Sequence, residues 1–180
     1  SVESKIEYSA HKIDYLVKEE ETFLIDNASV NYDNTILNAG EIYVDWEKNF
    51  LEARIKDDIY PSVNGLGESP TYGEHLTYDF TSKRGKMIKG NTNFGQGQNQ
   101  MYYKGKKIYR NSNQTYHIYN SLLTSCDREN PHYYFKSKQM KMIPNDRIIA
   151  KPMTLYLYDY PIVSIPFAVF PNKMGNRISG

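Results

Sequence analysis

Apolar and polar side chains alternate with a period of two through most of this chain, and no stretch carries the i, i+3, i+4 spacing of a helical face. Ile42, Val44 and Trp46 share one face of an extended segment, with Glu41, Tyr43 and Asp45 on the other. Leu76, Tyr78 and Phe80 repeat the pattern. So do Tyr116 with Ile118, Tyr133 with Phe135, Met140 with Met142, Ile148 with Ala150, and Leu155 with Leu157. Side chains that return to one face every second residue are buried by a sheet, not by a helix. The 17 tyrosines agree, because an amphipathic ring suits a half-buried pleated surface. The expected elements are strands of about five residues joined by short polar turns.

The segment from Ala28 through Tyr32 and Leu37 to Ala39 has a loose echo from Gly40 through Val44 and Leu51 to Ala53, and a third begins at Leu76. The spacing is roughly 12 to 14 residues, which favours an open, solenoid-like stack whose repeats bury their apolar faces on one another. Residues 57–74, with Pro61, Gly65, Gly67 and Pro70, are expected to form a loop, as are residues 91–100, rich in Asn, Gln and Gly.

A chain of 180 residues is read as a single domain, 1–180. Mean hydropathy of -0.68 and the lack of any apolar run near 18 residues exclude a membrane-crossing helix. A single cysteine excludes an internal disulfide. The net charge of +1 argues against nucleic acid. That balance hides an asymmetry. Residues 1–80 hold 6 basic and 17 acidic side chains, and residues 81–180 hold 16 and 4. An elongated fold would therefore have an acidic end and a basic end.

Catalytic, cofactor and metal signatures are lacking. His11, His75, His117 and His132 are scattered. Cys126, Asp127, Glu129 and His132 lie close in sequence, but without the spacing of a zinc site or the logic of a catalytic dyad. Gly95 and Gly97 lack the third glycine and the strand-to-helix context of a nucleotide loop. Asp57 and Asp58 fall in a polar loop, and the sequons at Asn27 and Asn113 are short enough to arise by chance. The run from Tyr160 to Pro171 is apolar and broken by Pro161, Pro166 and Pro171, so it must form a sheet edge or leave the sheet.

Four stretches, in order, resemble the outer-membrane lipopolysaccharide-assembly family, LptD or OstA-like. They are Asn38-Ala39-Gly40 with Ile42 to Ala53; Leu76-Thr77-Tyr78-Asp79 with Lys83-Arg84-Gly85; Leu123 to Asp127 with Pro131-His132-Tyr133; and Tyr160 to Pro171 with Asn176 to Gly180. The resemblance implies an all-β periplasmic domain, a folded-over sheet (β-taco or β-jellyroll) whose apolar interior carries lipopolysaccharide acyl chains toward an outer-membrane barrel. Ile42, Val44, Leu76, Tyr78, Phe80, Ile118, Phe135, Met142, Ile148, Leu155 and Leu157 are the groove candidates. Pro161, Pro166 and Pro171 would mark the junction with the barrel, within an adapter spanning 160–180. Lys83, Arg84, Lys86, Lys104, Lys106 and Lys107 would guide phosphate. Cys126 matches a family cysteine that pairs, in some members, with one outside this segment.

The start at Ser1 without an initiator Met and the stop beyond the proline-rich run suggest a piece of a larger protein. The implied partners are lipopolysaccharide, an LptA-like periplasmic bridge protein that adds to the sheet edge near Ile6 to Tyr8, an LptE-like outer-membrane lipoprotein reached through the barrel, and further copies through the sheet edges; no cofactor and no nucleic acid is implied. A soluble periplasmic shuttle or bridge of the same route is the alternative, and a structural or adhesive β-solenoid with a sealed core is another.

Overall fold

The computed structural model describes residues 6–32, 35–64, 69–94, 101–144 and 146–171. These residues contain fifteen strands: β1 (Ile6–Ser9), β2 (Lys12–Leu16), β3 (Glu21–Tyr32), β4 (Thr35–Asp45), β5 (Phe50–Arg54), β6 (Ser62–Val63), β7 (Thr71–Tyr72), β8 (His75–Asp79), β9 (Arg84–Phe94), β10 (Met101–Arg110), β11 (Tyr116–Thr124), β12 (Tyr133–Ile143), β13 (Arg147–Leu157), β14 (Tyr160–Ile165) and β15 (Ala168–Pro171). All join one antiparallel sheet, in the order β1-β3-β4-β5-β8-β9-β10-β11-β12-β13-β14. The chain adopts the all-β class expected from the alternation and the folded-over sheet that the resemblance implies.

The strands are longer than the alternation suggested, because each long one bends in the middle. Inward-facing positions step by two along each half and by three across the bend: Ala39 to Ile42 (with Gly40 between them covered from outside by Lys56), Met87 to Gly90, Gly105 to Ile108, Ile118 to Ser121, Ser137 to Met140, and Ala150 to Met153. Two successive residues then pass on the outside, and the inward face resumes with its parity shifted. In β3 the step is four, from Leu24 to Ala28. Asp26 and Asn27 take up the extra residue at φ of 61° and 50°, a left-handed conformation that Asp and Asn tolerate. Lys89 and Asn120, at φ of 51° each, occupy the same line of bends. Pro152 falls there too, opposite Lys138, at a position the β12–β13 ladder skips, so its missing N–H breaks no ladder bond.

Registered across the sheet, the bends form one crease. On one side runs an unbroken apolar ladder: Leu24, Ile42, Ala53, Leu76, Met87, Ile108, Ile118, Met140, Ala150 and Ala168. Every member is buried. On the other side the paired residues are small: Gly90, Gly105, Ser121 and Ser137. A Cβ at Gly90 would lie 2.3 Å from Ile108 Cδ1, and one at Gly105 would lie 2.8 Å from Ile118 Cγ2. Small residues on one flank therefore let the large aliphatic residues of the other fill the crease. The serines also satisfy backbone groups at the bend. Ser121 Oγ donates to Ser137 O at 3.3 Å, and Ser137 Oγ donates to Gln139 O at 2.8 Å while accepting from Lys151 N at 3.1 Å.

The sheet thus becomes two facing walls. β4 and β9 are bridged twice: by β5–β8 on one wall, and by β6–β7 on the other. The pairing therefore closes a ring of six strands, and the stretch expected as one long loop supplies two of them. Of the second expected loop, residues 91–94 extend β9, while residues 95–100 lie outside the described residues, as do Gly65, Gly67 and Asn176 to Gly180. Both outer edges are split at the crease. β1 and β2 pair with the two halves of β3, and β14 and β15 with the two halves of β13. Pro161, Pro166 and Pro171 sit in this last edge, where an absent N–H costs no interior ladder bond.

The crease predicts a contrast between two glycines. A Cβ at Gly40 would meet the backbone of Lys56 at 2.4 Å, whereas one at Gly85 would meet first the Tyr78 ring at 3.3 Å. Gly40→Ala should destabilise the fold by about 1–3 kcal/mol, and Gly85→Ala by about 0.5 kcal/mol or less. Urea unfolding of both variants checks this.

Candidate functional site

Opposite the crease, the strand ends form two rims, and between the walls near β3–β5 and β8–β11 lies a cavity of about 310 Å³. Val30, Leu37 and Val63 line it from one wall, and Leu51, Leu76, Met87 and Ile108 from the other. At the rims the lining changes character. Tyr32, Tyr78, Phe80 and Tyr116 ring the opening, with Lys83, Lys86 and Arg110 beside them. The cavity reaches the surface at Lys83, Ser112 and Gln114, all exposed. An apolar slot with an aromatic and cationic mouth fits an amphiphile with an anionic head.

The mouth is built by the turn between β8 and β9. Asp79 Oδ1 accepts the Ser82 N–H at 2.6 Å, and Phe80 N–H donates to Asn49 O at 2.9 Å. The backbone and side-chain hydrogen bonds from Ser82 hold the Asp79 carboxyl below its ordinary range. Lys83 closes the turn at φ 53°. This places Phe80 5.1 Å from the ring of Tyr32, edge-on, and 5.4 Å from Tyr78. Tyr32 belongs to one rim and Phe80 to the other, so the aromatic contact spans the opening. Arg110 lies 6.0 Å from the centre of the Tyr78 ring and donates to Lys83 O at 3.2 Å.

Of the groove candidates, Leu76, Tyr78 and Phe80 line the cavity. Ile42, Val44, Ile118 and Met142 are at most 2% exposed and pack in the core. Phe135 and Ile148 pack against that core, partly buried, and Leu155 is half-buried on the same inward row as Phe135. Leu157 ends β13 at a rim and is 41% exposed, so it is not enclosed between the walls. Alternation reports which way a side chain points, and cannot tell packed core from cavity lining. Val30, Tyr32, Leu37, Met87, Ile108, Arg110 and Tyr116 went unassigned for that reason. The signal that would have found several of them is the parity step, which puts Val30 and Leu37 on the same interior as Leu51 and Leu76.

The proposed phosphate guides divide. Lys83 and Lys86 border the cavity, whereas Lys104, Lys106 and Lys107 are exposed at and beside the crease on the outer face, away from the mouth. Arg110 takes the place beside the mouth expected of them. Cys126 is a half-buried free thiol in the β11–β12 connection, with Sγ 3.9 Å from His132 Nδ1. No group of three or more metal-ligating side chains occurs among the described residues. Tyr103, buried in the interior, has its hydroxyl pKa pushed up by burial.

The contacts at the mouth make Tyr78 a test of its construction. Tyr78→Ala should cost about 2 kcal/mol in urea unfolding, less than a fully buried ring because Tyr78 is half-exposed. The same variant should take up a fluorescent long-chain fatty acid more readily, because the opening loses one of its rings.

No protein-family model matches the chain, and no curated protein matches it. Among solved structures it is similar to LptH from Pseudomonas aeruginosa, described as the LptA homologous periplasmic component of the conserved lipopolysaccharide transport device. The two share 15% identity over 77% of this chain and 94% of that one, with a TM-score of 0.48.

Proposed function

We propose that this chain is a conduit for lipopolysaccharide in a periplasmic transport route, holding acyl chains between its walls. The observation that carries the reading is the cavity at the mouth, apolar inside with Lys83, Lys86 and Arg110 at its opening. Each methylene withdrawn from water there contributes about 0.8 kcal/mol. Cations at the rim suit a phosphate held just outside. A volume of about 310 Å³ takes a segment of one chain, so a lipid with several tails passes only when the rims part. The contact that must open is Tyr32 against Phe80. No bond is made or broken in this process, so it needs no catalytic group.

Within that route the bridge or shuttle reading is supported by the two sheet edges. β14 and β15 pair with the two halves of β13 as β1 and β2 pair with the two halves of β3, so the described residues present a strand edge on each side of the sheet. Exposed apolar side chains line both edges: Tyr8, Ile13 and Tyr15 at one, Tyr160, Ile162 and Val163 at the other. A partner sheet that adds to either edge would extend the interior without interruption.

Photo-crosslinking in cells tests this. A reactive residue at Tyr32, Phe80 or Tyr116 should give lipopolysaccharide adducts, and one at Lys12 or Glu41, which flank Ile25 on the outer face of the acidic end, should not. Adducts at none of the five positions, in a folded protein, would leave a sealed structural sheet as the reading.

A further inference from the structure

Strands β9 to β13 carry twelve Lys and Arg side chains and no carboxylate, and most of these cations lie away from the cavity mouth. Lysines concentrate where these strands bend. Lys89, Lys106 and Lys138 stand at the outward step of the crease; Lys104 and Lys136 flank them on one side, and Lys107 and Lys151 on the other. All seven are exposed. Lys89 bonds Glu74 at 2.9 Å, and Lys136 lies about 5 Å from the ring centres of Tyr134 and Tyr156. Among the described residues, Lys104, Lys106, Lys107, Lys138 and Lys151 meet no carboxylate. Five strands span roughly 20 Å, so the lysines form a strip along a protruding ridge. Tyr109 and Tyr119 pack edge-on at 5.7 Å within it, beside Lys106 and Lys107.

The geometry points to this ridge as a docking surface for an anionic lipid bilayer. A fold line that protrudes meets a plane along its whole length, whereas two convex faces touch only locally. That shape favours a membrane over the acidic half of a second copy, although the charge would suit either. Long lysine stems bring point charges to a layer of headgroups without the fixed geometry that a bidentate contact demands. Tyrosines among them suit the membrane–water boundary. The strip faces away from the mouth, so docking leaves the cavity free.

Sedimentation of the whole chain with vesicles that contain no lipopolysaccharide tests the ridge apart from the conduit. Vesicles of phosphatidylcholine with phosphatidylglycerol should bind at least tenfold better than phosphatidylcholine alone, and rising salt should weaken binding steeply. Each lysine near an anionic surface contributes about a fivefold gain, so the triple variant K104E/K106E/K138E should bind about 100-fold more weakly or worse. K12E/K18E, reversed far from the ridge, should stay within about twofold of the parent. Equal binding to both vesicle types, or equal loss in the two variants, would overturn the proposal. So would parent self-association in vesicle-free sedimentation that the triple variant abolishes, which would assign the ridge to a second copy. Far-ultraviolet circular dichroism confirms that each variant keeps its sheet.

Discussion

The contact between the aliphatic ladder and the small residues across the crease decides the rest of the molecule. Ile108 and Ile118 reach the backbone of Gly90 and Gly105 so closely that neither glycine has room for a Cβ. The walls are therefore drawn together at the fold line and can separate only away from it. Burial of a side chain such as Ile118, fully enclosed, is worth about 1.5–3 kcal/mol. The same arrangement recurs from strand to strand, so the closed side is held along the length of the sheet. The rim side has no such lock near the cavity, where aromatic contacts and hydrogen-bonded turns hold the walls. A structure closed on one side and latched on the other is suited to admitting a chain-like ligand laterally.

Charge follows the same geometry. The sheet lists its strands almost in sequence order, so the acidic first half and the basic second half become two ends of one object. On the acidic side, Asp14, Asp26, Asp45, Glu52 and Glu74 each meet a basic partner. Glu52 Oε1 lies 2.5 Å from His75 Nε2, and Glu52 Oε2 lies 2.8 Å from Arg54. Burial works against the Glu52 carboxylate, but these two partners outweigh it and hold its pKa low. The basic side has no carboxylates on β9 to β13 to balance it. Such an uncompensated face costs self-repulsion unless something external answers it.

The class of fold was legible in the sequence because alternation is a local property. Leu76, Tyr78 and Phe80 point inward in the structure as their spacing demands. The strand lengths were not legible. Each half-strand shows its own clean alternation, and the step of three at Ser137 to Met140 reads as an end rather than as a bend. Two helical turns of missing pattern would have announced a loop, but a single slipped residue hardly differs from noise. The cavity was less legible still. Val44 and Leu51 are directly paired and both point inward, yet only Leu51 borders space. What separates them is the distance to the opposite wall, a quantity that no periodicity along one strand contains.

Lys83 and Lys106 show where reasoning from charge alone stops. Both are basic, and both belong to the same charge-rich half. One closes a turn at the mouth, and the other rides the outer fold line two strands away. Sequence distance does not separate their roles; the bend does, because it turns one end of each strand toward the cavity rim and its middle outward onto the ridge. The single sheet thereby acquires two distinct cationic sites from one stretch of lysine-rich strands. If the mouth takes an anionic head and the ridge takes an anionic surface, the chain can lie on a bilayer with its cavity still open, because the two sites occupy opposite sides of the same folded strands.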